Sequence, residues 1–195
     1  MSVIDLSALG PERIRPLRRD EYDRLVAAGC FEDEKIELLD GVLVEMSPQG
    51  VGHAYAIQQL IMLLVPALVG RAVVRPQSPL AVSDDSEPEP DLAILPSGDY
   101  SRQHPTHALL VIEVAESSLR KDRRLKAALY ARAGIPEYWI VNLADGLIEV
   151  HRASRDGAYS QVTTHRPGET IGPQAFEDVR VPVADIVPPP DSRGP

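Results

Sequence analysis

An apolar run that contains a single glutamate, Leu109-Leu-Val-Ile-Glu-Val114, is the feature that most limits what this chain can fold into. Its length and its branched side chains predict a buried strand. A helical pattern follows from about Leu119 to Ala133 and is stopped by Gly134 and Pro136, before a second strand-like run at 137–142. This order predicts an α/β fold in which a mixed β-sheet is flanked by helices, with β-hairpins added.

The rest of the chain supplies further helices and strands. We expect a short helix over Arg18–Ala28, a hairpin at Asp40-Gly41, and a mostly apolar helix from His53 to about Val69, whose poor sidedness predicts that it is well buried. Strands are predicted at 72–80 and 92–95, a further hairpin beside Asp145-Gly146 with arms at 147–152 and 159–164, and an edge strand at 179–186.

The chain has 195 residues, a length that fits one domain, which we place at 16–187. Residues 1–15 are expected to be an N-terminal tail, and the proline-rich end, 188–195, to be disordered. The single cysteine, Cys30, excludes an intramolecular disulfide and a thiolate metal cluster. Because no signal sequence is evident and the longest apolar stretch is far below the roughly 20 residues of a membrane span, we expect a soluble cytoplasmic protein without a membrane partner.

The charge of the chain is unevenly distributed. The net charge is −9, which weighs against non-specific binding to nucleic acid, but residues 118–132 carry +5 and the remainder carries −14. This helix could therefore present a basic face to nucleic acid, or it could simply be a solvated helix. The candidates for nucleic-acid contact are Arg120, Lys121, Arg123 and Arg124.

Two carboxylates on neighbouring strand-like segments are the candidate metal ligands. Asp91 stands at the start of one predicted strand and Glu113 lies within another, with a loop between them that is long enough for the strands to pair. Adjacent strands lie about 4.8 Å apart, so both carboxylates could bind one cation. Oxygen ligands without thiolates favour Mg²⁺ or Mn²⁺ over Zn²⁺. The alternative is that each acid forms a structural ion pair with Lys or Arg.

A lysine on the following helix could complete this group. Asp122, Lys126 and Tyr130 are spaced four residues apart, so they form a row beside the apolar face that packs on the sheet. An ammonium there could orient the attacking water or hold a phosphate. Otherwise Lys126 forms a structural ion pair with Asp122 or Glu113, and Asp122 favours the helix N-terminus electrostatically.

Two further residues have weaker claims. Glu37 alternates with apolar neighbours in the first hairpin, where it could be a third acid at the site or a strand residue that faces solvent. His53 opens a helix, where it could contact a phosphate or a water molecule or lie on the surface.

Several of these segments together resemble a known family. They are Pro90-Asp91, the run from Leu109 to Ser117, Lys126-Ala-Ala-Leu-Tyr130, the run Tyr130–Val141, Ile36–Gly41 and His53. The chain resembles the Uma-two-type restriction endonucleases, a former domain of unknown function, from about residue 18 to 186. The resemblance implies the PD-(D/E)xK nuclease fold and Mg²⁺-dependent cleavage of phosphodiester bonds. The spacing from Lys126 to Tyr130 also resembles the Gln-x-x-x-Tyr element of RecB-like nucleases.

One position departs from the superfamily pattern. The superfamily lysine normally stands two residues after the acid, where this chain has Ala115. We therefore expect one of two functions. In a Mg²⁺-dependent DNA endonuclease, Asp91 and Glu113 would bind the metal and Lys126, supported by Tyr130 and Asp122, would replace the missing lysine. Glu37 would assist as a third acid. The alternative is a catalytically inactive module that binds or regulates, and a homodimer is plausible for either.

Overall fold

A six-stranded mixed sheet forms the centre of the fold in the computed structural model, which describes residues 14–187. The elements in chain order are α1 (Arg19–Ala27), β1 (Ile36–Leu39), β2 (Val42–Glu45), α2 (Val51–Leu68), β3 (Ala72–Pro76), β4 (Leu92–Pro96), β5 (Leu110–Ala115), α3 (Leu119–Lys121), a π-helical turn (Asp122–Lys126), α4 (Ala127–Arg132), β6 (Glu137–Asn142), β7 (Leu147–Arg155), β8 (Ala158–His165), β9 (Thr170–Ile171), β10 (Val181–Pro182) and α5 (Val183–Ile186). α3, the π-helical turn and α4 follow one another directly, and we call 119–132 the crossover helix.

The sheet has the order β3-β4-β5-β6-β7-β8 and mixes the two strand directions. β5 and β6 pair in parallel, and the other neighbouring strands of this sheet pair antiparallel. A parallel pair needs a crossover connection, which the crossover helix provides. The predicted α/β fold with a mixed sheet between helices is confirmed.

Apolar side chains cover both faces of the central strands, so β5 and β6 are buried throughout. Ile112, Val114 and Trp139 belong to the core on the α2 side of the sheet. Val111 and Ala115 belong to the core on the other side, together with side chains of the crossover helix. Because successive side chains of a strand alternate between faces, Glu113 lies on the same face as these two residues and points toward that helix.

The pairing of β4 with β5 determines the relation between the two candidate metal ligands. Leu92 is paired with Ile112 in an antiparallel register. Continuing this register by one residue sets Asp91 opposite Glu113. The expectation that their strands pair side by side is therefore confirmed.

The first hairpin is also confirmed, and its turn explains the Asp40-Gly41 pair. Both residues have positive φ angles, 48° and 75°, as tight hairpin turns require. A Cβ on Gly41 would lie 2.2 Å from the Cβ of Pro16, so glycine is needed there for space as well. This turn fixes β1, the strand that carries Glu37.

α2 differs from the expectation of a well-buried helix. One face packs in the core through Ala56, Ile57, Leu60, Leu64 and Leu68, but the opposite face exposes large apolar side chains. The poor sidedness of the sequence reflects two apolar faces, of which the described residues, 14–187, cover only one.

The predictions for the other connections were wrong in part. The predicted hairpin with arms at 147–152 and 159–164 is confirmed as the pair of β7 and β8, but its turn is Asp156-Gly157, with φ of 52° and 77°. The Asp145-Gly146 turn instead joins β6 to β7. β3 ends at Pro76 because Gln77 adopts a φ of 42°.

The expected edge strand at 179–186 is not part of the main sheet. Residues 181–182 pair with β9 in a separate two-stranded sheet, and 183–186 form α5, which packs against α2. The apolar residues of 179–187 thus cover the core on the α2 side. The predicted tail at 188–195 lies outside the described residues, as does most of the tail at 1–15.

Candidate active site

Asp91 is held rigidly at the start of β4. Its Oδ2 accepts a hydrogen bond of 2.7 Å from the backbone N–H of Val114 and lies 3.1 Å from His53 Nε2. Burial would lower the pKa of His53, but the hydrogen bond and the charge of Asp91 raise it above its ordinary value. His53, one of the two weaker candidates, therefore contacts Asp91 and fixes the orientation of its carboxylate.

Two side chains of the crossover helix donate hydrogen bonds to Glu113. Its Oε1 accepts hydrogen bonds of 2.9 Å from Lys126 Nζ and 2.7 Å from Tyr130 Oη. Burial raises the pKa of Glu113, and the charges of Asp91 and Asp122 act in the same direction against that of Lys126. Tyr130 thus supports the carboxylate directly, whereas the sequence predicted that it would support the lysine.

Lys126 is buried between two carboxylates. Its Nζ lies 3.0 Å from Glu37 Oε2 in addition to its bond with Glu113. Burial alone would lower the pKa of Lys126, but Glu113, Glu37 and Asp122 raise it above its ordinary value. At neutral pH the side chain is an ammonium group, a hydrogen-bond donor that cannot act as a general base.

Glu37 lies behind the lysine and does not face solvent. It is fully buried, and its Oε1 accepts a bond of 2.8 Å from Lys121 Nζ. Burial would raise the pKa of Glu37, but Lys126 and Lys121 lower it below its ordinary value. The alternative of a solvent-facing strand residue is therefore excluded, and Glu37 is a buried anchor for two lysines.

The π-helical turn shapes the part of the helix that faces the site. The N–H of Ala127 donates to the carbonyl of Asp122, five residues earlier, and both Asp122 and Lys126 are buried. Ser118 Oγ donates to Asp122 Oδ2 at 2.5 Å, and burial raises the pKa of Asp122. A π turn inserts one extra residue into a helix and recurs at functional sites.

These residues line an open cleft of about 80 Å³. Its walls include Asp91, Glu113, Lys126, Asp122, His53 and Lys121, but not Glu37. Two acids that the sequence analysis did not select, Glu89 and Glu116, also line the cleft. The sequence signal that could have identified them is their closeness to the two predicted metal ligands, because Glu89 precedes Asp91 by two residues and Glu116 follows Glu113 by three.

The two predicted metal ligands fit a hard divalent cation. Within residues 14–187, no protein hydrogen bond occupies Asp91 Oδ1 or Glu113 Oε2, and both side chains reach the cleft. In the same part of the chain, no three acidic, histidine or cysteine side chains converge as a ready-made metal cluster. Two carboxylates and several waters suit Mg²⁺, which keeps much of its hydration shell.

The basic residues of the helix divide into two groups. Arg123 binds Glu149 through two nitrogens, with contacts of 2.5 to 3.1 Å, and Lys121 is held by Glu37. Arg120 and Arg124 are exposed, and no ion pair engages them within the described chain. The predicted basic face is therefore narrower than the sequence indicates.

Ala115 occupies the position, two residues after Glu113, at which the resemblance leads one to expect a lysine. It is fully buried on the same face of β5 as Glu113. Lys126 reaches Glu113 from the helix instead, so an ammonium group lies beside this acid but comes from another element.

Comparison with known proteins identifies the family. The model of the Uma2 family, described as "Putative restriction endonuclease", matches residues 19–184. The chain belongs to the Uma2 family. A solved structure titled as a "putative nuclease belonging to DUF820", from Anabaena variabilis, superposes with a TM-score of 0.69 at 13% identity, and the match covers 88% of this Uma2 chain and 97% of that one. No curated protein matches.

Membership in Uma2 confirms the resemblance seen in the sequence, and the superposition confirms the restriction-endonuclease-like fold. The family description supports a nuclease, and therefore a hydrolase with a nucleic-acid substrate. Proteins of this fold usually depend on a metal ion.

Proposed function

We propose that this Uma2 protein is a Mg²⁺- or Mn²⁺-dependent endonuclease that hydrolyses phosphodiester bonds in DNA. The observation that carries the proposal is the position of Asp91 opposite Glu113 at the cleft, with the ammonium of Lys126 2.9 Å from Glu113. A divalent cation held by the two carboxylates would lower the pKa of its bound water and neutralise charge that builds on the phosphate oxygens.

The chain's own residues fix the geometry of this site. Val114 N–H and His53 hold one oxygen of Asp91, which turns the other oxygen toward the cleft. Tyr130 and Lys126 hold one oxygen of Glu113 in the same way. Such bonds to the ligands are the usual means of orienting a metal site.

Lys126 acts as a donor rather than as a base. Two of its three N–H groups point to Glu113 and Glu37, and the third is available to a phosphate oxygen or a water molecule in the cleft. An ammonium fixed in a buried setting stabilises negative charge more than the same group in water does. Glu37 and Asp122 are positioning residues that keep this ammonium charged and in place.

We assign substrate contacts outside the cleft to two exposed arginines. Arg120 and Arg124 lie on the crossover helix and can contact phosphates beside the scissile bond. The acidic remainder of the molecule would limit binding elsewhere on its surface. We further propose that the protein works in the cytoplasm and that two copies act together on a duplex.

A catalytically inactive module is the second candidate, and Ala115 is the observation that favours it. In that case the buried Lys126–Glu113–Glu37 group would be a structural ion network, and the cleft would bind without turnover. The two candidates differ in whether Asp91 supports cleavage.

The test is cleavage of supercoiled plasmid and single-stranded DNA by the purified protein in Mg²⁺ or Mn²⁺. We expect nicking by the wild type and by the matched control Asp156→Asn, which changes a highly exposed aspartate on a turn. Asp91→Asn and Asp91→Ala should lose cleavage while they keep the fold. Equal nicking by the Asp91 variants would overturn the assignment, and no cleavage by any protein would favour the inactive module.

A further inference from the structure

The exposed face of α2 carries an apolar stripe that no other part of residues 14–187 covers. It consists of Val51, Tyr55, Gln58, Met62 and Val65, with Val69 at the helix C-cap, and we call it the outer stripe. Val51 is 90% exposed, Met62 60% and Val69 76%. The spacing alternates between four and three residues, which is the period of helices that pack along one another.

The outer stripe itself carries no charged side chain, and a groove lies beside it. No Asp, Glu, Lys or Arg occurs between Val51 and Leu68. A groove of about 300 Å³ runs beside the stripe and is lined by Ile57, Ile61 and Met62, among others. A groove of this kind can accept large apolar side chains from a packed neighbour.

We propose that the outer stripe is the contact surface between two copies of this chain, with the two α2 helices antiparallel. The stripe positions mirror one another about residue 60. In a symmetric antiparallel pair Val51 therefore faces Val69 of the second copy, Tyr55 faces Val65, and Gln58 faces Met62. A twofold interface needs this self-complementarity, because each residue must fit the partner position that also fits it.

The area of the stripe is sufficient for such a pair. Five apolar side chains are strongly exposed along it, and at roughly 100 Å² each they would bury about 500 Å² per copy. The pair would then bury about 1,000 Å² in total, which is the lower limit for a specific protein interface. The central Gln58 adds one polar position, a device that fixes register in helix pairs.

Other occupants fit the stripe less well. Nucleic acid would need Lys or Arg, and α2 has neither. Among the described helices, α2 is the one that is long and apolar enough to cross a membrane, and only 28% of it is buried. Helices that lie on membrane surfaces are usually rich in Lys and Arg, and this chain has a net charge of −9.

Sedimentation velocity of the full chain over a concentration series tests the proposal. We expect a dimer for the wild type and for the control Val162→Glu, which adds one glutamate at an exposed valine of β8, away from the stripe. Met62→Glu with Val65→Glu should raise the dissociation constant by about a hundredfold or more, with an unchanged circular dichroism spectrum. A monomeric wild type, or a double variant that dimerises equally well, would overturn the proposal. Binding of a monomeric wild type to phosphatidylglycerol vesicles would overturn it in favour of a lipid surface.

Disulfide cross-linking tests the antiparallel register. In a Cys30→Ser background, Val51→Cys combined with Val69→Cys should form a covalent dimer under mild oxidation. Val51→Cys alone should not, because antiparallel pairing separates the two copies of residue 51 by about 27 Å. Cross-linking of the single variant would exclude this arrangement. Asp91→Asn should leave dimerisation unchanged, so the result does not depend on nuclease activity.

Discussion

Lys126 and Glu113 form a hydrogen bond of 2.9 Å between Nζ and Oε1, although they belong to different elements and both are buried. The same ammonium also forms an ion pair with Glu37, so one lysine connects β1, β5 and the crossover helix. The proposed site and the structural core therefore share a residue, and its role in folding must be separated from its role in catalysis.

Lys126→Met should lower the free energy of unfolding by about 3–5 kcal/mol, because it leaves the carboxylates of Glu113 and Glu37 buried without their common partner. Adding Glu37→Gln should restore part of this loss. Urea denaturation measures both values, with Lys35→Met at an exposed loop as the control. A stability of Lys126→Met equal to that of the control would contradict the ion network.

Arg124→Ala should weaken DNA binding without lowering stability, because this arginine is exposed and no ion pair holds it within residues 14–187. Losing one phosphate contact should reduce the slope of log K against log salt by about 0.9. Fluorescence anisotropy at several salt concentrations, measured on the Asp91→Asn background, would show it.

Arg123→Ala, one position earlier, should instead lower the melting temperature, because Glu149 is buried and loses its bidentate partner. The two neighbouring substitutions thus act as controls for each other. If Arg123→Ala changed only DNA binding, its assignment as a structural residue would be wrong.

Glu87 should make stability depend on pH. Burial, with the charge of Asp23, raises the pKa of Glu87 to about 7 although Arg19 lies 3.9 Å away. Between about pH 4.5, the ordinary value, and pH 7 the folded protein keeps a proton that the unfolded chain has lost, so stability falls as the pH rises through this window. Glu87→Gln should flatten the fall, and melting temperatures of both proteins from pH 4 to 8 test it. The exposed control Glu34→Gln should keep the wild-type profile, and a Glu87→Gln profile as steep as that of the wild type would contradict the prediction.

Gly41→Ala should destabilise the protein more than Gly70→Ala does. Both glycines have a φ of 75°, so both substitutions carry the strain of the left-handed region, about 1–3 kcal/mol. Only Gly41 also brings its new Cβ to 2.2 Å from Pro16, whereas Gly70 faces open space. The difference between the two free energies of unfolding isolates this contact, and equal values would show that it relaxes freely.

Local patterns in the sequence were enough to predict the pairing of Asp91 with Glu113. Each acid adjoins or interrupts a short apolar run, and strands so close in sequence tend to pair. The row of Asp122, Lys126 and Tyr130 was predictable from helical spacing, and all three are buried on the side that faces the sheet.

Contacts that depend on distant parts of the chain were not predictable in the same way. The alternation of side chains along β1 shows only that Glu37 and its apolar neighbours point to opposite faces of the hairpin. The two lysines that bind and cover Glu37 come from a helix more than 80 residues later in the sequence. The sequence indicated that Arg123 is a surface charge, because it could not show that β7 places Glu149 in contact with this arginine. The apolar sequence of α2 could not show which of its two faces the chain itself would cover.

Binding of Mn²⁺ to the intact protein, followed by titration calorimetry, tests the central claim most directly. The account predicts saturable binding to the wild type and to Asp156→Asn, and a loss of measurable binding to Asp91→Asn and Glu113→Gln with their melting transitions retained. Binding to Asp91→Asn as tight as to the wild type, or no binding to the wild type, would contradict it.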